Sequence, residues 1–209
     1  MLTHELIAAE ETDSQWLMVV LHGLGDSMEG FRWLPGVLDL PWLNYLLVNA
    51  PDDYHGGVSW DDIYENPAPG VERSREALFE LLDAQPEAGF PSAQTFQFGF
   101  SQGCLMTMEV ALRYPRVLAG CVGVSGYLHE PEQSLRELSP VAKEQKILFT
   151  LGTFDLLIPA DKVKGQLHLL REEGGLPIQS KEFPKEHTID AGEELSLIRD
   201  FLVAQRPAS

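Results

Sequence analysis

The sequence predicts a doubly wound α/β domain, a mostly parallel sheet with helices on both faces. Two observations carry this. Apolar runs of strand length recur along the chain without clean alternation, as strands do when both faces of a parallel sheet are covered. Segments of helical length lie between them, so strand and helix take turns. The 209 residues and 44% hydrophobic content suit one core, and a single domain over 1–209 is expected.

The elements follow in order. Trp16 to Leu21 is the first strong strand and Leu43 to Val48 the second. Pro- and Gly-rich Asp52 to Gly70 reads as a long loop over the top edge of the sheet, placed to line a binding site. A helix is expected over Gly70 to Ala84, then a strand over Thr95 to Phe100. The helix over Gln102 to Tyr114 is ended by Pro115, which pushes the residue before it out of the α region. Strands over Val117 to Val124 and Ile147 to Leu151 come next, then a helix over Lys162 to Glu173 closed by Gly174-Gly175. Gln179 to Phe183 alternates and reads as an exposed edge strand, and Ala191 to Ala204 as the last helix.

Composition excludes some partners. Lys and Arg number 15 against 32 Asp and Glu, and the net charge of −17 repels phosphate backbones and anionic headgroups. No nucleic-acid partner is expected. Cys104 and Cys121 sit in apolar surroundings, as free thiols do in a reducing compartment. The N-terminus lacks a basic segment followed by an apolar one, and no apolar run approaches the roughly 20 residues of a bilayer span. A cytoplasmic protein without integral membrane association is the expectation.

The chemistry centres on Gly99-Phe100-Ser101-Gln102-Gly103. Alone, the GxSxG pattern is weak; between a buried strand and a helix it has the placement of a nucleophile elbow, in which a tight turn pushes the serine hydroxyl outward. A serine needs a base to take its proton and a carboxylate to orient that base. In α/β hydrolases these follow as acid, then histidine, each on a loop after a later strand. Asp155 leaves the end of the Ile147 to Leu151 strand, and His187 lies between the edge strand and the last helix. His168 reads as a helix-surface residue, Asp161 as a first-turn carboxylate, and Asp190 stands too close to His187 to come from a separate strand end.

A developing oxyanion needs backbone N–H donors. Gln102 offers one at a helix N-terminus, and Leu24, between Gly23 and Gly25 after the first strand, offers the second. His22, His55 and His187 could be imagined as metal ligands, but no HExxH pattern, cysteine pair or carboxylate cluster joins them at ligand spacing, and no phosphate loop or dinucleotide fingerprint occurs. Neither metal nor cofactor is expected.

Taken together, the stretches Leu21-His22-Gly23-Leu24-Gly25-Asp26, Asn49-Ala50-Pro51, Ser59-Trp60-Asp61-Asp62, Gly99 to Gly103, Ala119-Gly120 through Ser125-Gly126-Tyr127, Gly152 to Asp155 and His187-Thr188-Ile189 resemble, in order, the phospholipase/carboxylesterase family that includes the acyl-protein thioesterases. The resemblance implies an α/β-hydrolase fold without a large lid, no cofactor, and hydrolysis of carboxylic ester or thioester bonds through an acyl-serine. It gives Ser101 as nucleophile, Asp155 as acid and His187 as base, with Leu24 and Gln102 as oxyanion donors. Trp60 matches a position near the acyl site, although a loop tryptophan equally serves packing. Two departures stand out. Glu186 replaces the glycine common before the histidine, and a carboxylate there narrows the active pH range from below. Phe154 and Leu156 beside the acid are bulky, which bears on substrate size. A lysophospholipase and a silent binding protein on a hydrolase scaffold are the alternatives, and the resemblance leaves a homodimer open.

Overall fold

The computed structural model describes residues 2–206. In chain order the elements are β1 (His4–Ile7), β2 (Trp16–Leu21), α1 (Leu34–Leu38), β3 (Leu43–Val48), β4 (Asp52–Tyr54), β5 (Gly57–Ser59), α2 (Pro67–Ala84), β6 (Thr95–Phe100), α3 (Gln102–Arg113), β7 (Gly120–Val124), α4 (Pro131–Arg136), β8 (Ile147–Gly152), α5 (Ala160–Glu172), β9 (Ile178–Phe183) and α6 (Glu193–Gln205). Strands β1-β3-β2-β6-β7-β8-β9 form one sheet in that order, with β1 antiparallel to β3 and the other pairs parallel.

Burial explains the unbroken apolar runs. Leu17, Val19 and Leu21 of β2 enter one core with Leu78 of α2, Leu105 of α3 and Leu167 of α5. Met18 and Val20, one residue out of phase, enter a second core with Leu34 of α1 and Ile198 of α6. Side chains alternate across a strand, so both halves of the run must be apolar. Each such side chain contributes about 1.5–3 kcal/mol when fully buried.

Three expectations change in detail. The 52–70 segment is not all loop: β4 and β5 pair across His55-Gly56, both at positive φ (45° and 95°), and α2 already starts at Pro67. Proline is favoured there because its missing N–H has no helical partner to lose. The strand expected from Val117 begins at Gly120, because the Leu118 N–H donates to the Gln145 side chain rather than to a neighbouring strand. β1, absent from the expectation, caps the edge of β3.

The chain runs from β2 to β3 on one side and returns with β6 on the other side of β2. Strand order thus reverses between β2 and β6, and the crevice beyond their carboxyl ends is where such sheets bind ligands.

Candidate active site

Ser101 stands in that crevice. It lies between the end of β6 and the start of α3 with φ 55° and ψ −116°. A non-glycine residue in such a conformation stores about 1–3 kcal/mol, so the surroundings must enforce it. Two glycines do so. A Cβ on Gly99 would overlap the Gly103 carbonyl, and a Cβ on Gly103 would overlap the Leu21 carbonyl of β2. The turn can therefore fold tightly only with both side chains absent, and the Ser101 N–H is tied back to the Val124 carbonyl at 2.9 Å.

Asp155 and His187 come from the ends of β8 and β9. The His187 Nδ1–H donates to Asp155 Oδ2 at 2.7 Å, and Nε2 accepts the Ser101 hydroxyl at 2.9 Å. Asp155 Oδ1 accepts the N–H groups of Leu157 and Ile158 at 2.9 and 2.8 Å. The carboxylate is thus buried with both oxygens occupied. The imidazole packs on the Phe100 ring, centroids 5.0 Å apart. Glu186 is exposed and makes no hydrogen bond or ion pair with the imidazole among the described residues.

Leu24 and Gln102 line the same cavity as Ser101 and His187, and its volume is about 590 Å³. Gln102 is the first residue of α3, whose leading N–H groups have no helical acceptor. The loop carrying Leu24 is held by hydrogen bonds from Gly25 N to Val58 O and from Val58 N to Asp26 O, each 3.0 Å. Ile63, Tyr64, Leu157, Ile158 and Val163 form much of the remaining wall. A second cavity, of about 510 Å³, lies at the opposite end of the strands among residues 11–16 and Arg206, and holds none of these groups.

Trp60 is not in the cavity. It has no exposed surface, which corrects the reading of it as a substrate-binding residue. Its indole N–H donates to the His22 carbonyl at 3.0 Å, and its backbone N–H donates to Gln102 Oε1 at 2.9 Å. Gln102 Nε2 donates to the Asp61 carbonyl at 3.1 Å and to Ser59 Oγ at 3.2 Å. The His22 Nδ1–H donates to Gly23 O at 2.7 Å, and Nε2 accepts the Ala50 N–H at 3.1 Å. One buried network therefore joins the Gln102 side chain, through Trp60, to the residues just before Leu24. The reading of Trp60 as a packing residue fits its burial, and its link to the Gln102 side chain and to the loop before Leu24 is what sequence reasoning missed. No periodicity or spacing signals which way a loop tryptophan points.

The charges around the network are shifted by burial. Burial holds the His22 imidazole below its ordinary value against the opposing pull of the Gly23 carbonyl, which keeps the ring neutral. Burial also pushes the Asp61 carboxyl up to about 6, opposed by Gln102 and by His129. Among the described residues neither oxygen of the Asp61 carboxyl group has a hydrogen-bond partner. Cys104 and Cys121 are buried and free; burial pushes both thiols up, that of Cys121 to about 12, which keeps them un-ionised and unreactive.

Among the described residues no cluster of three or more His, Cys, Asp or Glu side chains forms a metal site, and no helix is long and apolar enough to cross a membrane. His168 is exposed on α5, Asp161 lies in the first turn of that helix, and Asp190 Oδ2 accepts the N–H groups of Gly192 and Glu194 at the start of α6.

A model described as Phospholipase/Carboxylesterase matches residues 2–205. Acyl-protein thioesterase 1 of Schizosaccharomyces pombe is 35% identical over 156 residues, covering 68% of this chain and 70% of that protein. A rice protein described as a probable inactive carboxylesterase is 27% identical over 175 residues, covering 75% and 71%. The crystal structure of esterase PE8 superimposes with a TM-score of 0.85 at 25% identity, covering 98% of this chain and 99% of that one. The chain belongs to the phospholipase/carboxylesterase family.

Proposed function

We propose that this chain is a cytoplasmic serine esterase, working as a single domain, that hydrolyses carboxylic ester or thioester bonds through an acyl-serine. Ser101 Oγ attacks the acyl carbonyl while its proton passes to His187 Nε2, and Asp155 stabilises the imidazolium so formed. The Leu24 and Gln102 N–H groups receive the oxyanion. Collapse of the tetrahedral intermediate breaks the acyl–oxygen or acyl–sulfur bond, and His187 returns the proton to the departing alcohol or thiol. Water then attacks the acyl-serine as His187 takes its proton; the second tetrahedral intermediate collapses with cleavage of the acyl–Ser101 Oγ bond, His187 returns the proton to Ser101 Oγ, and the acid leaves. No metal or cofactor enters the scheme, and the acidic surface disfavours nucleic acid.

The observation that carries this reading is the unbroken relay of 2.9 and 2.7 Å from Ser101 through His187 to Asp155, set in a cavity with a largely apolar wall. It favours turnover over the silent-scaffold alternative, for which an interrupted relay would be the sign. The wall of Ile63, Leu157, Ile158 and Val163 suits an acyl chain. Each CH₂ it buries contributes about 0.8 kcal/mol, or about fourfold in kcat/KM.

A panel tests this directly. We expect p-nitrophenyl esters of increasing chain length to be hydrolysed with kcat/KM rising until the wall is filled. An acyl thioester and a lysophospholipid in the same panel rank the leaving groups. Absence of turnover on every substrate by folded protein would leave the scaffold reading in its place.

A further inference from the structure

We propose that Lys185 is a positioning residue for His187, acting through a buried ion pair with Glu194 that locks the loop between β9 and α6. The inference rests on the reading of His187 as the base.

Lys185 stands two residues before His187, yet its side chain points away from solvent. The Lys185 and Glu194 side chains are 5% and 0% exposed. Lys185 Nζ donates to the Thr188 carbonyl at 2.8 Å and to Glu194 Oε1 at 2.5 Å. The other carboxylate oxygen, Glu194 Oε2, accepts the Asp190 N–H at 2.7 Å. The ammonium, on Thr188, and Glu194 Oε2, on Asp190, are therefore engaged with the stretch 188–190, which begins one residue after the imidazole, while Glu194 Oε1 closes the ion pair between them. Because Glu194 belongs to α6, the loop is referenced to a helix packed against the sheet.

The same residue ties the base to the acid. The Lys185 carbonyl accepts the Phe154 N–H at 3.1 Å, and Phe183, two residues earlier, accepts the Thr153 N–H at 2.9 Å. A Cβ on Gly152 would come within 2.5 Å of the Lys185 oxygen, so the two loops meet in contact. Asp155 and His187 thus depend on one junction, with Lys185 at its centre.

Stability alone does not require a charged pair here. Replacing a buried ion pair with apolar side chains of similar volume is often neutral or stabilising, whereas removing one partner leaves a costly unpaired charge. What a pair supplies beyond packing is direction. Two bonds to the backbone, at the Thr188 carbonyl and the Asp190 N–H, joined through the ion pair, fix the path of the chain just after the imidazole, and a base displaced by an ångström from its proton donor loses most of its advantage.

The test uses the full chain and four variants: Lys185→Met, Lys185→Met with Glu194→Leu, Glu194→Gln, and Ser101→Ala. Thermal midpoint, kcat and KM on a p-nitrophenyl ester, and the rate of labelling by a fluorophosphonate are measured for each. Lys185→Met is expected to lower the midpoint, and the double variant to recover most of it, since no charge is then buried alone. The double variant is nevertheless expected to keep kcat about tenfold or more below the parent, with KM within about threefold. Labelling should slow in parallel. Recovery of parent kcat together with the midpoint would mean that the pair serves stability only, and would overturn the proposal. If the first two variants do not fold, Glu194→Gln, which keeps an acceptor for the Asp190 N–H, decides. A folded Glu194→Gln protein is expected to be slower than the parent, and parent kcat in it overturns the proposal as well. Ser101→Ala separates the two levels: labelling that survives it defeats the esterase mechanism itself, whatever Lys185 does.

Discussion

Replacing Gln102 by leucine removes the side-chain amide that joins the Ser101–Gln102 turn, through Trp60, to the loop carrying Leu24, the two segments of the proposed oxyanion hole, while leaving the backbone N–H at position 102 in place. Gln102 is 1% exposed. Its Oε1 takes the Trp60 N–H, and its Nε2 serves the Asp61 carbonyl and Ser59 Oγ. The Ser59 hydroxyl proton already goes to Asp61 O at 2.6 Å, so that carbonyl keeps one partner and Ser59 Oγ loses only an acceptor role. The group left bare is the buried Trp60 N–H. An unsatisfied buried donor costs about 1–3 kcal/mol, and two further neutral bonds lost at about 0.5–1.5 kcal/mol each bring the sum to about 2–6 kcal/mol. For a chain of this size, at about 2–4 °C per kcal/mol, that lowers the thermal midpoint by about 4–24 °C. A second effect is kinetic. With Trp60 no longer anchored, its indole bond to the His22 carbonyl slackens and the Leu24 N–H drifts. Loss of one oxyanion donor costs about 100-fold or more in kcat, so a partial displacement is expected to cost about tenfold. The assay is kcat and KM on a p-nitrophenyl ester at a temperature where urea titration shows the variant folded. An unchanged midpoint together with an unchanged kcat would refute the claim that this amide holds the oxyanion loops.

The other predictions concern the relay, the buried acid and metals. His187→Ala is expected to lower kcat by several orders of magnitude with KM nearly unchanged, and Asp155→Asn to lower kcat by about 10⁴ through the wrong tautomer, both read by steady-state kinetics. Asp61→Asn is expected to stabilise the protein at pH 8. The fold holds this carboxyl at about 6 against an ordinary 3.8, so the folded state favours the protonated form. The resulting stability is complete below pH 3.8 and lost as pH rises through about 6. Urea midpoints of the parent and variant should therefore converge at low pH and separate above pH 6; parallel curves would contradict the assignment. Treatment with EDTA should leave turnover unchanged, and a clear loss of activity would mean that a metal takes part.

Much of this was legible in the sequence because the fold repeats one local rule. Each chemical group sits just past the carboxyl end of a strand: Leu24 after β2, Ser101 after β6, Asp155 after β8 and His187 after β9. The strands read clearly because both faces are buried. What was hidden depends on side-chain direction. Trp60 lies on a loop in sequence and in the core in space, and nothing local distinguishes an inward indole from one facing substrate. Lys185 and Glu194 sit among Glu186, Asp190 and Glu193, a run that reads as solvated charge. Only the packing of α6 on the loop takes two of them out of water. The β4–β5 hairpin escaped for a different reason: strands of three residues joined by His55-Gly56 carry too little pattern to stand out, and the turn forms because His55 accepts a left-handed φ.

In the proposed mechanism the atom that His187 activates is Ser101 Oγ. The most direct measurement is peptide mass spectrometry of the protein after reaction with a fluorophosphonate, run on the parent, Ser101→Ala and His187→Ala. We expect one adduct, on the peptide carrying Ser101, absent from Ser101→Ala and formed far more slowly in His187→Ala. An adduct on another residue, or labelling of His187→Ala at the parent rate, would contradict it.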